Sequence, residues 1–192
     1  MKGLRIIAGS LKGRRLAVPR GLLVRPTADR AREALFSILE HGEPALRGSR
    51  FLDLFAGSGA VGIEAFSRGA REVLLVEREP AALVALRANL DRIPHRDAIR
   101  VMATDATRLG RAPHTFDIAF LDPPYRSGLA GQALEALAAG SWLAPGARVV
   151  VELAAREDLA TAADYAREDE RRYGSCRFLF LRYRGSKPPA TS

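Results

Sequence analysis

The chain has 192 residues, 47% hydrophobic and 27% charged, a composition that suits one globular domain with a real core and excludes a disordered or fibrous protein. It carries 30 Lys plus Arg against 22 Asp plus Glu, a formal net charge of +8. The excess sits in residues 1–32, which hold nine bases and one acid, while residues 171–192 hold six bases and no acid, so an acidic middle lies between two basic ends.

The first 27 residues read as a basic arm. Leu4–Ala8 and Arg14–Val18 flank Gly9-Ser-Leu-Lys-Gly13, a pattern that predicts a small hairpin projecting from the body. Thr27 is placed to N-cap a helix over Ala28–Glu40, in which Ala31, Ala34, Leu35, Ile38 and Leu39 form an apolar stripe and Arg30 and Glu33 lie off it. From residue 50 short apolar runs alternate with helical stretches. Strands are expected at Arg50–Phe55, Glu72–Glu77, Ile99–Thr104, Phe116–Leu121 and Arg148–Leu153, apolar almost throughout, as strands covered on both faces are. Helices are expected at Ala60–Ser67, Pro80–Arg92 and Leu129–Ala139. This alternation predicts an α/β fold with a Rossmann-like, mostly parallel sheet. Tyr165–Arg172 and Cys176–Arg184, joined at Tyr173-Gly174-Ser175, close it with an antiparallel hairpin. The domain is expected over residues 28–184, followed by a disordered tail at 185–192.

Arg5 breaks the apolar start, so no signal-peptide core forms, and no run approaches the roughly 18 apolar residues of a membrane span. The single Cys176 excludes an internal disulfide and reads as a small core residue. His41, His95 and His114 have no metal-ligand spacing. No metal and a cytoplasmic location are therefore expected. A basic arm can keep a protein soluble, anchor it at a membrane surface or contact nucleic acid. Arg suits phosphate contacts, but codon bias gives the same excess over Lys2, Lys12 and Lys187.

The chemistry concentrates at three strand ends. Asp53-Leu-Phe-Ala-Gly57-Ser-Gly59-Ala-Val-Gly62 turns the first strand into the first helix, and its GxGxxG spacing lets backbone approach a nucleotide. Glu77 closes the next strand, where an acid can bind ribose hydroxyls. To this point a nicotinamide cofactor and S-adenosylmethionine fit equally. Asp53 separates them: a carboxylate before the loop repels a pyrophosphate and favours the ammonium and sulfonium of S-adenosylmethionine. Asp105, just past the third strand, is placed to accept from an adenine amine, and a solvated turn residue would read the same. Asp122-Pro123-Pro124-Tyr125 follows the fourth strand. Two prolines stiffen that loop, so the Asp122 side chain and the Pro123 carbonyl can act as two acceptors for one exocyclic amine, with Tyr125 stacking on its ring.

These elements resemble the class I S-adenosylmethionine-dependent methyltransferases that methylate amines with a D/N-PP-Y/F tetrapeptide. Such tetrapeptides serve adenine, guanine and protein glutamine alike. The N-terminal pattern narrows the choice: Arg5-Ile-Ile-Ala-Gly9-Ser-Leu-Lys12-Gly13-Arg14, then Arg25-Pro26-Thr27-Ala-Asp29-Arg30-Ala-Arg32-Glu33-Ala-Leu35-Phe36, is similar to the RsmD family, which methylates the 2-amino group of a guanine in 16S ribosomal RNA. The resemblance extends to Arg172-Tyr173-Gly174 at the closing hairpin. It implies S-adenosylmethionine as methyl donor, held around Asp53, Phe55, Gly57, Gly59, Gly62, Glu77, Arg78, Asp105 and Ala106. It implies Asp122, Pro123, Pro124 and Tyr125 at the target base, and RNA contacts from Arg5, Lys12, Arg14, Arg15, Arg25 and Arg30. The expected partner is small-subunit ribosomal RNA, naked or within a 30S particle, met by a monomer. Two other readings share the site: a DNA adenine-N6 methyltransferase, for which 192 residues leave no separate sequence-reading domain, and a non-catalytic ribosome-assembly factor, which would not need a rigid acceptor pair.

Overall fold

A computed structural model describes residues 4–18 and 26–185, with 26–28 described by backbone alone. Arg25 and residues 186–192 of the expected tail lie outside the described residues. The elements run α1 (Pro26–Glu40), β1 (Arg50–Leu54), α2 (Ala60–Ser67), β2 (Glu72–Glu77), α3 (Pro80–Leu90), β3 (Ile99–Ala103), β4 (Phe116–Leu121), α4 (Leu129–Ala139), β5 (Leu143–Ala154), β6 (Tyr165–Tyr173) and β7 (Cys176–Tyr183). The strands form one seven-stranded sheet in the order β3-β2-β1-β4-β5-β7-β6. Strands β1 to β5 pair in parallel, while β7 pairs antiparallel with both β5 and β6. The expected architecture is therefore present. Crossing from β3 back through β1 to β4 puts the order reversal between β1 and β4, where open α/β sheets bind ligands at the carboxyl ends of their strands.

Three boundaries differ from expectation by two residues or more, and five others by one. Helix α1 begins at Pro26, whose fixed φ suits a first turn; Thr27 thus lies inside the helix and is not its N-cap. Strand β5 starts at Leu143 and runs through Pro145 and Gly146, residues that normally end a strand. Its register against β4 jumps between Phe116 and Ile118, so the turn residues occupy an excursion and the ladder resumes at Arg148. Helix α3 stops at Leu90, two residues short.

The larger correction concerns the arm. Among the described residues a single β-bridge, Arg5 to Arg15, and the backbone bonds Ile6 N–H to Arg14, Gly13 N–H to Ile6 and Leu16 N–H to Leu4 join its two halves, and the hairpin is docked on the body. Leu4, Ile6, Leu11 and Leu16 are buried in one core cluster with Leu35, Phe36 and Leu39 of α1, Ile63 of α2 and Leu86 of α3. Alternation decides this: apolar side chains enter the core, while Arg5, Lys12, Arg14 and Arg15 stay exposed. Polar clamps complete the docking. Glu64, fully buried on α2, accepts from Ile7 N–H at 2.7 Å and Ala8 N–H at 2.9 Å. Ser67 Oγ accepts from Leu11 N–H at 2.9 Å, and Asn89 of α3 accepts from Ala17 N–H at 2.6 Å. Arg32 turns inward, is 6% exposed, and donates to the Arg5 carbonyl and to Asp29. One of the nine basic side chains of the first 32 residues is therefore buried and fixes the hairpin. The opposite face of the sheet carries a second cluster built on α4, Trp142 and the inward side chains of β4, β5 and β7.

Candidate active site

The loop after β1 is shaped by Phe55, a non-glycine residue at φ 63 that swings the chain out of the strand. Its glycines divide the work. Gly57 has φ 57, and a Cβ there would meet nothing closer than 4.0 Å. Gly59 and Gly62 instead face inward: a Cβ on Gly62 would lie 2.2 Å from Leu75 Cδ2, and one on Gly59 would lie 2.4 Å from Leu86 Cδ1. These two glycines let α2 close on β2 and α3, so packing explains them, and only Gly57 lies open to a ligand.

Two acids brace the loop from below. Asp53, 1% exposed, accepts from Gly62 N–H at 2.8 Å and so satisfies one of the free donors at the start of α2. Burial pushes its carboxyl up to about 7, against the opposing Gly62 hydrogen bond and with help from the charge of Glu77. Glu77 accepts from Gly57 N–H at 2.7 Å through one oxygen and from the N–H groups of Arg78 and Glu79, both at 2.8 Å, through the other. It thereby ties the open glycine to the end of β2.

Asp105 is more occupied than its sequence position suggests. One oxygen accepts from Thr107 N–H and hydroxyl at 2.9 and 2.7 Å, and the other pairs with Arg78 at 2.7 Å. The Thr107 bonds, backbone first, and then Arg78 hold the Asp105 carboxyl below the usual range. Arg78 and Asp105 so form an ion pair between the ends of β2 and β3, with Ala106 buried beside it.

Past β4, Asp122 N–H donates to the Leu54 carbonyl at 3.3 Å, which carries the loop alongside the end of β1. Among the described residues the Pro124 carbonyl accepts from Ser127 Oγ at 2.6 Å, and no hydrogen bond takes the Pro123 carbonyl. Asp122 as a residue is exposed, while its carboxyl is crowded by neighbouring protein. That crowding, with the charges of Glu152 and Asp53, raises its carboxyl well above the ordinary carboxylate range. The Tyr125 ring is 44% exposed, and its hydroxyl donates to Glu152 Oε1 at 2.9 Å. The structure thus gathers Asp53, Asp122 and Glu152 at the ends of β1, β4 and β5. Sequence reading missed Glu152. Its one signal was an acid inside the apolar run Arg148–Leu153, beside which Leu121 and Val151 set the register of β4 and β5.

Of the basic residues expected on RNA, Arg5, Lys12, Arg14 and Arg15 lie on the outer side of the docked hairpin and Arg30 is exposed on α1. Arg14 also donates to the Arg92 carbonyl beyond α3. Among the described residues no group of His, Cys, Asp or Glu could hold a metal ion, and no helix is long and apolar enough to cross a membrane.

A sheet of this order, with a braced glycine loop after β1, an acid ending β2 and Asp-Pro-Pro-Tyr after β4, defines a class I methyltransferase. Residues 4–182 match the model of the family described as conserved hypothetical protein 95. The chain is 35% identical over 175 residues to ribosomal RNA small subunit methyltransferase D of Haemophilus influenzae, covering 89% of each. Against the Escherichia coli K12 protein of the same name it is 38% identical over 165 residues, covering 82% of this chain and 78% of that one. The solved structure of Escherichia coli yhhF, 33% identical, matches with a TM-score of 0.83 over 96% of this chain and 100% of that one. The chain therefore belongs to the RsmD family, the ribosomal RNA small subunit methyltransferase D proteins.

Proposed function

We propose that this protein transfers a methyl group from S-adenosylmethionine to the exocyclic 2-amino group of a guanine in small-subunit ribosomal RNA. The observation that carries the reading is the pair of acceptors at the end of β4: the exposed Asp122 and a Pro123 carbonyl with no partner among the described residues, beside a half-exposed aromatic ring. An aromatic amine offers two N–H donors and a lone pair delocalised into its ring. Two fixed acceptors align the donors and direct the nitrogen.

The cleft suits the methyl donor. Gly57 is open where a Cβ would otherwise intrude, Glu77 holds that glycine and keeps lone pairs for ribose hydroxyls, and Asp105 with Arg78 borders the place of the adenine. When bound, S-adenosylmethionine supplies an electrophilic methyl group on a positively charged sulfur. Asp53 stands beneath the loop, and a cation there would favour its ionised form. Asp122 and the Pro123 carbonyl hold the amine in line, and the nitrogen sheds its proton after the methyl arrives. Tyr125 offers a flat face to a base turned out of its helix. The exposed guanidinium and ammonium groups of the docked hairpin, with Arg25 and Arg30, contact phosphates. The protein works as a cytoplasmic monomer on this reading.

The deciding experiment offers labelled S-adenosylmethionine with unmodified small-subunit particles, naked ribosomal RNA and DNA, and identifies the product nucleoside. Label in N2-methylguanine of the RNA is expected, and label in methyladenine of DNA would overturn the proposal. Asp122→Ala should abolish transfer while S-adenosylmethionine still binds; wild-type turnover would remove Asp122 from its role.

A further inference from the structure

Tyr125 sits on an exposed loop, with Pro124 through Gly128 all open to solvent. A ring that must meet a flipped base needs its direction fixed. Among the described residues two ties hold the backbone of this loop: Ser127 Oγ to the Pro124 carbonyl, and Arg126 N–H to Glu157 Oε1 at 2.9 Å. The 2.9 Å bond from the Tyr125 hydroxyl to Glu152 Oε1 is the one that acts on the ring itself.

The other end of that bond is rigid. Glu152 lies inside β5, is paired with Phe178 of β7, and follows Val151, which pairs with Leu121 of β4. Its neighbours Val151 and Leu153 are fully or almost fully buried. An acid on such a strand carries a desolvation cost that an apolar residue would avoid, and burial does raise its carboxyl. The Tyr125 hydroxyl and the Cys176 thiol both donate to this carboxyl and oppose that rise, and of the two only Tyr125 belongs to the exposed loop after β4, so the acid serves there as a fixed acceptor for the phenol.

We infer that Glu152 is a positioning residue for the transfer, fixing the Tyr125 ring by its hydroxyl so that the ring faces the base held by Asp122. The inference rests on the reading of Asp122–Tyr125 as the base site. Glu152 acts on the ring through the Tyr125 hydroxyl, and its charge also lies near Asp122.

The test is a double-mutant cycle read as kcat, KM for small-subunit particles and S-adenosylmethionine affinity. Tyr125→Phe and Glu152→Ala should each lower kcat by about tenfold or more, the loss typical of releasing a charge-assisted hydrogen bond that orients a reacting group. Cofactor affinity should be unchanged. Glu152→Gln and Glu152→Ala both remove the charge beside Asp122, so their difference isolates the bond: Glu152→Gln should be faster than Glu152→Ala through its amide oxygen, and that difference should vanish in the Tyr125→Phe background. A Glu152→Gln variant as slow as Glu152→Ala, or a difference that persists without the Tyr125 hydroxyl, would overturn the inference. If Glu152→Ala does not fold, Tyr125→Phe decides alone, because wild-type kcat without the hydroxyl excludes the tether. Asp122→Ala is measured beside them: activity in that variant defeats the reading of the site, whereas an inactive Asp122→Ala with a fully active Tyr125→Phe defeats only the tether.

Discussion

Deleting residues 1–20 should unfold this protein, whereas removing the charges of the same segment should leave it folded and weaken RNA binding. Leu4, Ile6, Leu11 and Leu16 are 7%, 1%, 5% and 6% exposed. Burying an aliphatic side chain contributes about 1.5–3 kcal/mol, so losing four removes roughly 6–12 kcal/mol. That is comparable with the roughly 5–15 kcal/mol that holds a typical domain together. The deletion also strips Glu64 of two backbone donors and leaves Arg68 as the ion-pair partner of a buried acid, which deepens the loss. The companion variant replaces Arg5, Lys12, Arg14 and Arg15 by Gln. It should melt within a few degrees of the parent, and the slope of log affinity for RNA against log salt should shrink by about 0.7–0.9 for each phosphate that is no longer neutralised. Circular dichroism melts and binding titrations at several salt concentrations give both numbers. A truncated protein that melts beside the full chain would refute the docking argument. A four-Gln variant with an unaltered salt slope would refute the assignment of this face to RNA.

Three more outcomes follow from single side chains. Asn89→Ala removes a buried amide that accepts from Ala17 and donates to the Ala17 and Ser58 carbonyls at 2.9 Å; at about 1 kcal/mol per bond the melting point should drop by roughly 6–12 °C, and cofactor affinity should fall with it, since Ser58 belongs to the glycine loop. Gly62→Ala should destabilise by about 1–3 kcal/mol through overpacking against Leu75, while Gly57→Ala should cost about 1–2 kcal/mol from its left-handed backbone and lose far more cofactor affinity; equal affinity losses in denaturation and calorimetry would contradict the division of roles. Asp53 has its carboxyl raised from 3.8 to about 7 in the folded chain, so its contribution to stability is complete below about pH 4 and lost as pH rises through about 7. Asp53→Asn should flatten the fall of melting temperature across that window, lessened but not abolished because burial raises Asp122 and Glu152 in the same direction; an unchanged slope would show that Asp53 is not the group responsible.

Much of the catalytic body was legible in the one-dimensional pattern. Strands Glu72–Glu77 and Phe116–Leu121 and helices Ala60–Ser67 and Leu129–Ala139 have the bounds their patterns indicate, because a strand covered on both faces needs an unbroken apolar run and each run ends where a turn residue stands. Asp122 and Tyr125 were singled out for the same reason, since open α/β sheets bind ligands where their strands stop. Glu152 escaped because its significance is a neighbour 27 positions away, Tyr125, brought alongside by the pairing of β4 and β5. Which glycines of the loop pack and which stay open could not be read, because sequence records that a Cβ is missing, not which atoms it would have met.

The charge of the N-terminal segment shows the boundary between the two kinds of information. Composition determined that the net +8 lies in residues 1–32 and that apolar and basic residues alternate there. It could not determine where the apolar half would go, because burial depends on a matching surface contributed by α1, α2 and α3, far along the chain. Tertiary structure turned an expected free arm into a docked wall. Leu4, Ile6, Leu11 and Leu16 belong to the core, Arg32 is drawn inward to hold the hairpin, and Arg5, Lys12, Arg14 and Arg15 are presented on its outer face.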